Sequence, residues 1–392
     1  MMDKIDFKDT EIAFKHLSTD HLVRSSRLFS IFGQSWLLRV GKPFLRFSLW
    51  AGLPVKAIIR ATIFRQFCGG EFIEDCMDTI QKLGQSNVNS ILDYSVEGKE
   101  TEVDFKRNAE EIIATISKAK SNSNIPFCVF KLTGVVRFSL LEKANSGEKL
   151  DDVLKAEYEM AKLRIENICR AASEAQIPIL IDAEETWIQN TIDRLAEEMM
   201  VLFNKEHHIV YNTVQLYRSD RLEYIQQLLA RSVAMGFKPA LKLVRGAYME
   251  KERERARKMG YPSPINPSKE TTDKHFNEAL DFCMLHHPHF AICAGTHNEQ
   301  STQHLIDLLH EKGLKVNDPR IWFSQLLGMS DNISYILASK GYNVAKYVPY
   351  GPIEEVMPYL MRRAEENTSI EGQTGRELNL ISKEIIRRKA RM

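Results

Sequence analysis

The sequence predicts an α/β chain folded as a (βα)8 TIM-like barrel with an N-terminal helical arm. Three observations carry this. From about residue 86, short apolar runs rich in β-branched residues recur eight times. Helical patterns long enough for crossover connections separate them. Neither common nucleotide fingerprint favours an open doubly wound sheet, because no G-x-G-x-x-G follows the first run and no G-x-x-x-x-G-K-[ST] occurs. Eight strand–helix units in roughly 300 residues is the arithmetic of a closed barrel.

Residues 1–85 contain no clear strand and are expected to form the arm; residues 86–392 are expected to form the barrel. Within the arm, Val55, Ile59, Ile63 and Phe67 recur every four residues, with basic side chains between them. Two readings stay open: a helix packed on the main body, or a basic amphipathic surface touching lipid, centred on Trp50 to Phe67. The strand runs follow in order: SILDYSV from Ser90, FCVFKLT from Phe127, ILIDAEE from Ile179 and IVYNTVQLY from Ile209. Then come ALKLVRGAY from Ala240, FAICAGTHN from Phe290, IWFSQLLG from Ile321 and NVAKYVPYG from Asn343. Between the second and third runs, Leu154 to Ala175 reads as a crossover helix, with Ala156, Met160, Leu163, Asn167 and Ile168 expected on its inner face.

Composition narrows the function. Of 392 residues, 44% are hydrophobic and 27% charged, which excludes a disordered or fibrous chain. Lys+Arg is 53 against Asp+Glu 52, so bulk electrostatic binding of nucleic acid is not expected. The six cysteines form no C-x-x-C pair and read as buried thiols in a reducing cytoplasm. The apolar stretch Phe44 to Phe67 is broken by Arg46, Lys56, Arg60 and Arg65, too often for a membrane span. Residues Met1 to Asp20 lack the apolar core of a signal peptide.

Barrel active sites lie at the C-terminal ends of the strands. Polar residues there are Lys131, Asp182, Glu184, Gln215, Tyr217, Lys242, Arg245, Tyr248, Thr296, His297, Asn298, Gln325 and Tyr347. Lys131, inside an apolar run, is expected to face the barrel mouth paired with Asp182 from the next strand, since buried lysines are rare unless paired. After the eighth run, Tyr359, Arg362, Arg363 and Glu366 share one helical face, and Pro358 must start or kink that helix. The arginine pair reads either as a carboxylate or phosphate clamp or as a solvated basic turn. The histidines at 207–208 and 286–289 precede strands and belong to the opposite end. No metal-ligand spacing and no G-x-S-x-G nucleophile signature is present.

Taken together, LKLVRGAYMEKERERA, GTHN, SQLLGM and YVPYG followed by YLMRRAEEN resemble the proline dehydrogenase family of flavoenzymes. FKLTG, IDAEETWIQ and NTVQLY resemble its second, third and fourth strands, and the match runs in order over about 86–370. The wording is closer to the monofunctional, mitochondrial branch than to the bifunctional bacterial enzymes. The resemblance implies a distorted barrel holding FAD without a Rossmann fold. It implies oxidation of L-proline to Δ1-pyrroline-5-carboxylate and electron delivery to a membrane quinone. The expected location is cytoplasmic, with a peripheral contact at the inner face of the membrane.

Carried over by position, Arg362 and Arg363 would bind the proline carboxylate, Lys131 would add a third positive charge and Asp182 would orient it. Tyr347, Tyr359 and Leu327 would line the proline ring. Gln215, Val244, Arg245, Gly246, Ala247, Tyr248, Thr296, His297, Asn298, Gln325, Arg363 and Glu366 would hold FAD. Lys242 stands where the bifunctional enzymes carry Arg near the flavin, keeping the charge but losing the planar fork. No residue carries a general-base signature. A 4-hydroxyproline dehydrogenase of the same family and a non-catalytic amino-acid-sensing barrel are the alternatives.

Overall fold

A computed structural model of the protein describes residues 4–32, 55–369 and 373–391. Eight strands close into one all-parallel barrel in sequence order: β1 Asn89–Tyr94, β2 Phe127–Lys131, β3 Ile179–Asp182, β4 Val210–Gln215, β5 Ala240–Val244, β6 Ala291–Gly295, β7 Ile321–Leu326 and β8 Val344–Tyr350. Each expected run supplies one strand. Most stop short of the polar ends of their runs, so those ends fall in the loops above the barrel. Pairing of β1 with β8, from Asn89↔Ala345 to Tyr94↔Tyr350, closes the ring.

Strand alternation decides what enters the lumen. Its lower part is apolar: the Phe127 ring meets Tyr211 at 5.5 Å and Trp322 at 5.2 Å, both edge-on. Ile91, Val129, Leu180, Ala240 and Ala345 belong to the same inner cluster. Two residues further along each of those strands stand Asp93, Lys131, Asp182, Lys242 and Tyr347. Period-two geometry therefore turns all five into the same lumen, near the mouth.

The outer layer corrects one expectation. The helix Asp152–Ala175 buries Ala161, Ile165, Ile168, Cys169 and Ala172, while Met160 and Leu163 are 52% and 57% exposed. Only Ile168 of the expected face is buried. The helix carries two apolar stripes, and the one with the smaller side chains lies inward, where the backbone can approach its neighbours.

The arm packs into the same core. Phe7, Phe14, Leu22 and Phe29 join the cluster that fills the barrel's outer layer. Arg388, on the C-terminal helix Gln373–Lys389, donates to the Phe14 and Leu17 carbonyls at 2.8 Å each and so caps the short helix Thr10–Phe14. Further on, Ile59, Phe64 and Phe67 are buried. A π turn at Arg60–Phe64 inserts a residue, so Phe64 takes the inward place that four-residue spacing assigned to Ile63. Residues 33–54, including Trp50, lie outside the described residues. No helix among the described residues is long and apolar enough to cross a membrane.

The helix Ile353–Ser369 begins five residues before Pro358, so the proline does not start it. The imino nitrogen instead leaves the Glu354 carbonyl without its usual helical donor. The histidines before β4 and β6 meet at the other end of the barrel, where His208 Nε2 lies 2.9 Å from the His289 carbonyl.

Lys346 of β8 has the opposite parity to Tyr347 and points outward, yet it is fully buried. Its ammonium meets Asp331 at 2.8 Å and the Met329 carbonyl at 2.5 Å. His16 of the arm stacks on Tyr335 at 3.5 Å and reaches Asp331 at 3.6 Å. Burial works against the Asp331 anion, but Lys346 and His16 outweigh it and hold the carboxyl well below its usual range. A depressed carboxylate adds stability that is present above about pH 4 and lost as pH falls further. Asp331→Asn should lower stability at neutral pH by about 3–5 kcal/mol, because it strands a buried ammonium. Chemical denaturation should also find the mutant's deficit shrinking as the pH is lowered from about 4.

Candidate active site

Asp182 is the hub of the lumen layer. Lys242 donates to its Oδ1, the Tyr347 hydroxyl donates to Oδ2 at 2.7 Å, and Lys131 stands 3.6 Å away. Thr213 adds a long contact at 3.4 Å. Burial would raise the carboxyl pKa, yet Lys242 and Lys131 prevail and lower it, so Asp182 is an anion. Burial equally disfavours the Lys131 ammonium, but Asp93 and Asp182 reverse this and raise its pKa. Lys242 also lies over the Tyr347 ring, 4.9 Å from its centre. The expected Lys131–Asp182 pair is therefore present, within a larger set.

Sequence reasoning missed two acids of this site, both from β1 and its loop. Asp93 is fully buried, accepts a hydrogen bond from Ser95 Oγ and stands 3.8 Å from Lys131. Glu97 pairs with Arg362 through two contacts of 2.7 and 3.1 Å. Arg362 outweighs burial and lowers the Glu97 pKa. The signal for Asp93 was its parity with Ile91. For Glu97 it was an acid just past the one strand end from which no polar residue had been read.

The adjacent arginines of the helix Ile353–Ser369 face different neighbours. Arg362 lies over Tyr248, 5.5 Å from the ring centre, and its charge is felt by Lys131. Arg363 is buried over Tyr359 at 5.3 Å, and its charge reaches His297. Burial first, then Lys346 and Arg363, push the His297 pKa well down, so its ring is neutral; Nδ1 lies 2.9 Å from Ser330 Oγ. The Glu366 side chain lies outside the described residues.

The loops above β4 to β7 form the other side of the mouth. Gln215 is buried and its Oε1 has no hydrogen-bond partner among the described residues. Gly246 has φ +132°, and a Cβ there would sit 2.6 Å from the Tyr217 ring, so no side chain fits. The flanking Val244 and Tyr248 are half-buried and Ala247 is exposed. Arg245 spends its donors on protein: Asp273 and Thr296 at 2.6 Å and Ser301 at 2.9 Å. That makes it a brace across the β5 and β6 loops. Asn298 caps the helix Glu299–Glu311, and Gln325 donates to the Thr296 carbonyl at 3.1 Å. Leu327 is half-buried just past β7. Together the rim offers a buried acceptor, a neutral imidazole and close backbone approach, a set that could hold a large heterocyclic cofactor. A separate groove of about 500 Å³ lies between the helices Thr186–Phe203 and Arg221–Met235. It runs along the outer flank, and its Arg221–Asp193 and Arg231–Glu197 charges are already paired.

The family model for proline dehydrogenase matches residues 76–376. The chain belongs to the proline dehydrogenase family. It is 31% identical to "Proline dehydrogenase 1, mitochondrial" of Dictyostelium discoideum, over 98% of this chain and 75% of that protein. It is also 31% identical to "Carbapenem antibiotics biosynthesis protein CarD" of Pectobacterium carotovorum subsp. carotovorum, over 82% and 83%. The human "Proline dehydrogenase 1, mitochondrial" is 39% identical, over 59% of this chain and 40% of its own length. Among solved structures, proline utilization A from Bdellovibrio bacteriovorus superposes with a TM-score of 0.73 at 18% identity. That match covers 93% of this chain and 38% of the other, a likeness in fold.

In this proline dehydrogenase family member one more acid of the mouth is unusual. Glu184 is buried past β3, where it accepts from the Thr133 amide at 3.1 Å and from the Thr133 hydroxyl. Burial, with Glu185 nearby, pushes its pKa up to about 8. An acid whose pKa rises on folding binds more protons folded than unfolded. Its contribution is full below the unfolded value and lost as pH rises through the folded one. Glu184→Gln mimics the protonated form. Relative to the mutant, the wild type should lose roughly 1.4 kcal/mol of stability per pH unit between about pH 5 and 8. Denaturant titrations across that range would show it.

Proposed function

We propose that the protein oxidises L-proline to Δ1-pyrroline-5-carboxylate, with FAD as resident cofactor and a membrane quinone as electron acceptor. The observation that carries this reading is the cluster of cations at one mouth. Lys131 and Lys242 share Asp182 in the lumen, and Arg362 lies close enough for Lys131 to feel its charge. Cations disfavour a substrate ammonium and favour a substrate carboxylate. An incoming carboxylate competes with Glu97 for Arg362, with Arg363 on the same turn completing the clamp.

The residues present fit FAD. Gln215 Oε1 is a buried acceptor without a donor among the described residues, and Gly246 lets backbone approach a ligand closely. Lys242 supplies positive charge at the lumen. Val244, Ala247, Tyr248, Thr296, His297, Asn298, Gln325, Arg363 and Glu366 complete the assignment, with Arg245 bracing their loops. When bound, FAD supplies the two-electron acceptor for the hydride that leaves C5. The protein's own contribution is to fix the ring. Clamping the carboxylate converts a loose encounter into one orientation, and that positioning is most of the gain.

Tyr347, Tyr359 and Leu327 are the ring contacts in this reading. The Tyr347 hydroxyl is already spent on Asp182, so the residue presents an aromatic wall to the C4 edge. The quinone and a peripheral contact at the cytoplasmic face of a membrane belong to the same proposal; vesicle flotation during turnover tests the contact.

Adding proline without oxygen should bleach the flavin absorbance of the purified protein. A flavin that stays oxidised would overturn the assignment. Arg362→Ala and Arg363→Ala should each raise KM for proline, by the equivalent of about 2–4 kcal/mol. The affinity for tetrahydrofuran-2-carboxylate should fall in parallel. Against the Tyr347 wall, trans-4-hydroxy-L-proline should show a kcat/KM roughly ten- to a hundred-fold below that of proline.

A further inference from the structure

Asp93 has no part in that reading, yet it lies in the same layer. Register sets it beside Val129 of β2 and Pro349 of β8. The groups facing it come from every neighbouring element: Lys131 from β2, Asp182 from β3, Tyr347 from β8, Ser95 from its own loop, and the Cys68 thiol from the segment before β1. Lys131 Nζ stands between the two carboxylates, 3.8 Å from Asp93 and 3.6 Å from Asp182. The two acids are not equivalent. Asp182 receives Lys242, Tyr347 and Thr213. Asp93 receives Ser95 on Oδ2, and its buried Oδ1 has no hydrogen-bond partner among the described residues. A buried carboxylate with a bare oxygen is costly as an anion and gains by taking a proton.

Proline arrives as a secondary ammonium. Its nitrogen must lose a proton before the lone pair can assist hydride departure from C5, and a closed site needs an acceptor for that proton. We infer that Asp93 is the terminal acceptor, a positioning residue that acts through Lys131. In this step Lys131 passes a proton from Nζ to an Asp93 oxygen and takes the substrate's ammonium proton in its place. The substrate N–H bond breaks and an O–H bond forms on Asp93. The electron pair stays on the substrate nitrogen, nothing is oxidised, and Lys131 ends as the ammonium it began as. The 3.8 Å separation suits a site that tightens when the ligand enters, since catalytic contacts are often long in the free enzyme. Burial raises the Asp93 pKa, Lys131 opposes this and Asp182 reinforces it, leaving it above the ordinary carboxylate range. A proton delivered there is therefore held more firmly than on an exposed carboxylate.

The inference rests on proline oxidation, and its test separates the two. Asp93→Asn keeps the shape and removes the acceptor. In the FAD-loaded enzyme, anaerobic flavin reduction by proline at pH 7 should slow by about 100-fold or more, then climb about tenfold per pH unit as free-amine proline becomes available. Tetrahydrofuran-2-carboxylate has the ring and carboxylate but no ionisable nitrogen. Its affinity, read from the perturbed flavin spectrum, should stay within about twofold. Ser95→Ala removes the Asp93 donor and raises its proton affinity, so the acidic limb of the kcat/KM profile should move to higher pH with its plateau kept. A wild-type rate and profile in Asp93→Asn would overturn the inference, as would parallel loss of rate and inhibitor affinity. If Asp93→Asn does not fold, an unmoved acidic limb in Ser95→Ala overturns it. Failure of proline to bleach the wild-type flavin would instead sink the function itself.

Discussion

Everything at the mouth depends on Asp182 staying ionised inside the barrel. Desolvating a carboxylate costs several kcal/mol, and desolvating the lysines around it costs as much again. The layer is tolerable because opposite charges are interleaved. Lys242 and Lys131 stand on either side of Asp182, and Asp93 lies beyond Lys131. Remove the central anion and Lys242 loses its carboxylate partner, while Lys131 keeps only the longer contact with Asp93. The barrel supports this arrangement because strand alternation turns every second side chain of each strand into the lumen. Closure through β1 and β8 then brings Asp93 and Tyr347 alongside residues far from them in sequence. The site is thus a property of the closed ring.

A third buried lysine does the corresponding job behind the wall. Lys346 holds the turn after β7 through the Met329 carbonyl and Asp331. Glu377 of the C-terminal helix accepts the Ser330 amide at 2.5 Å in the same turn, and Arg376 donates to the His297 carbonyl at 3.0 Å. The arm contributes His16 to Asp331, and the Phe7 carbonyl accepts from Asn332 at 3.0 Å. Both ends of the chain thereby converge on the loops that position His297. The arm is held by polar ties as well as by buried phenylalanines, so its docking and the geometry of that side of the mouth are linked.

What the sequence disclosed, it disclosed through period. Eight β-branched runs stand out because a fully buried strand has no polar face to blur it. Reading polar residues from strand ends found Lys131, Asp182, Lys242 and Tyr347 without any structure. The same rule failed at β1: SILDYSV places Asp93 inside an apolar run, where one acid reads as an interruption, and Glu97 lies beyond it in the loop. Helix faces were less legible. Asp152–Ala175 carries apolar residues on two stripes, and the choice between them depends on how closely its neighbours approach, which is a tertiary fact. The π turn at Arg60–Phe64 is similar, because one inserted residue rotates the face and only packing shows that it occurred. Neighbouring in sequence likewise said nothing about where the tips of Arg362 and Arg363 go.

The division between lysines and arginines follows from space. Lumen positions are bounded on all sides, and each donor buried there must be satisfied. An ammonium is a compact charge, and Lys242 satisfies it with one carboxylate oxygen and the face of Tyr347. A guanidinium in the same place would present five donors in a rigid fork and need partners beyond the Asp182 oxygen and the Tyr347 face. On the helix Ile353–Ser369 the constraint reverses. Arg362 sits at the edge of the mouth, where it and Glu97 are each 18% exposed. There a planar fork can hold one carboxylate through two parallel hydrogen bonds and exchange it for another of the same shape. Glu97 thus occupies Arg362 with the functional group that a substrate carboxylate would present. In the proposed reading, point charges set the proton balance in the depth of the barrel, and forked charges set recognition at its rim.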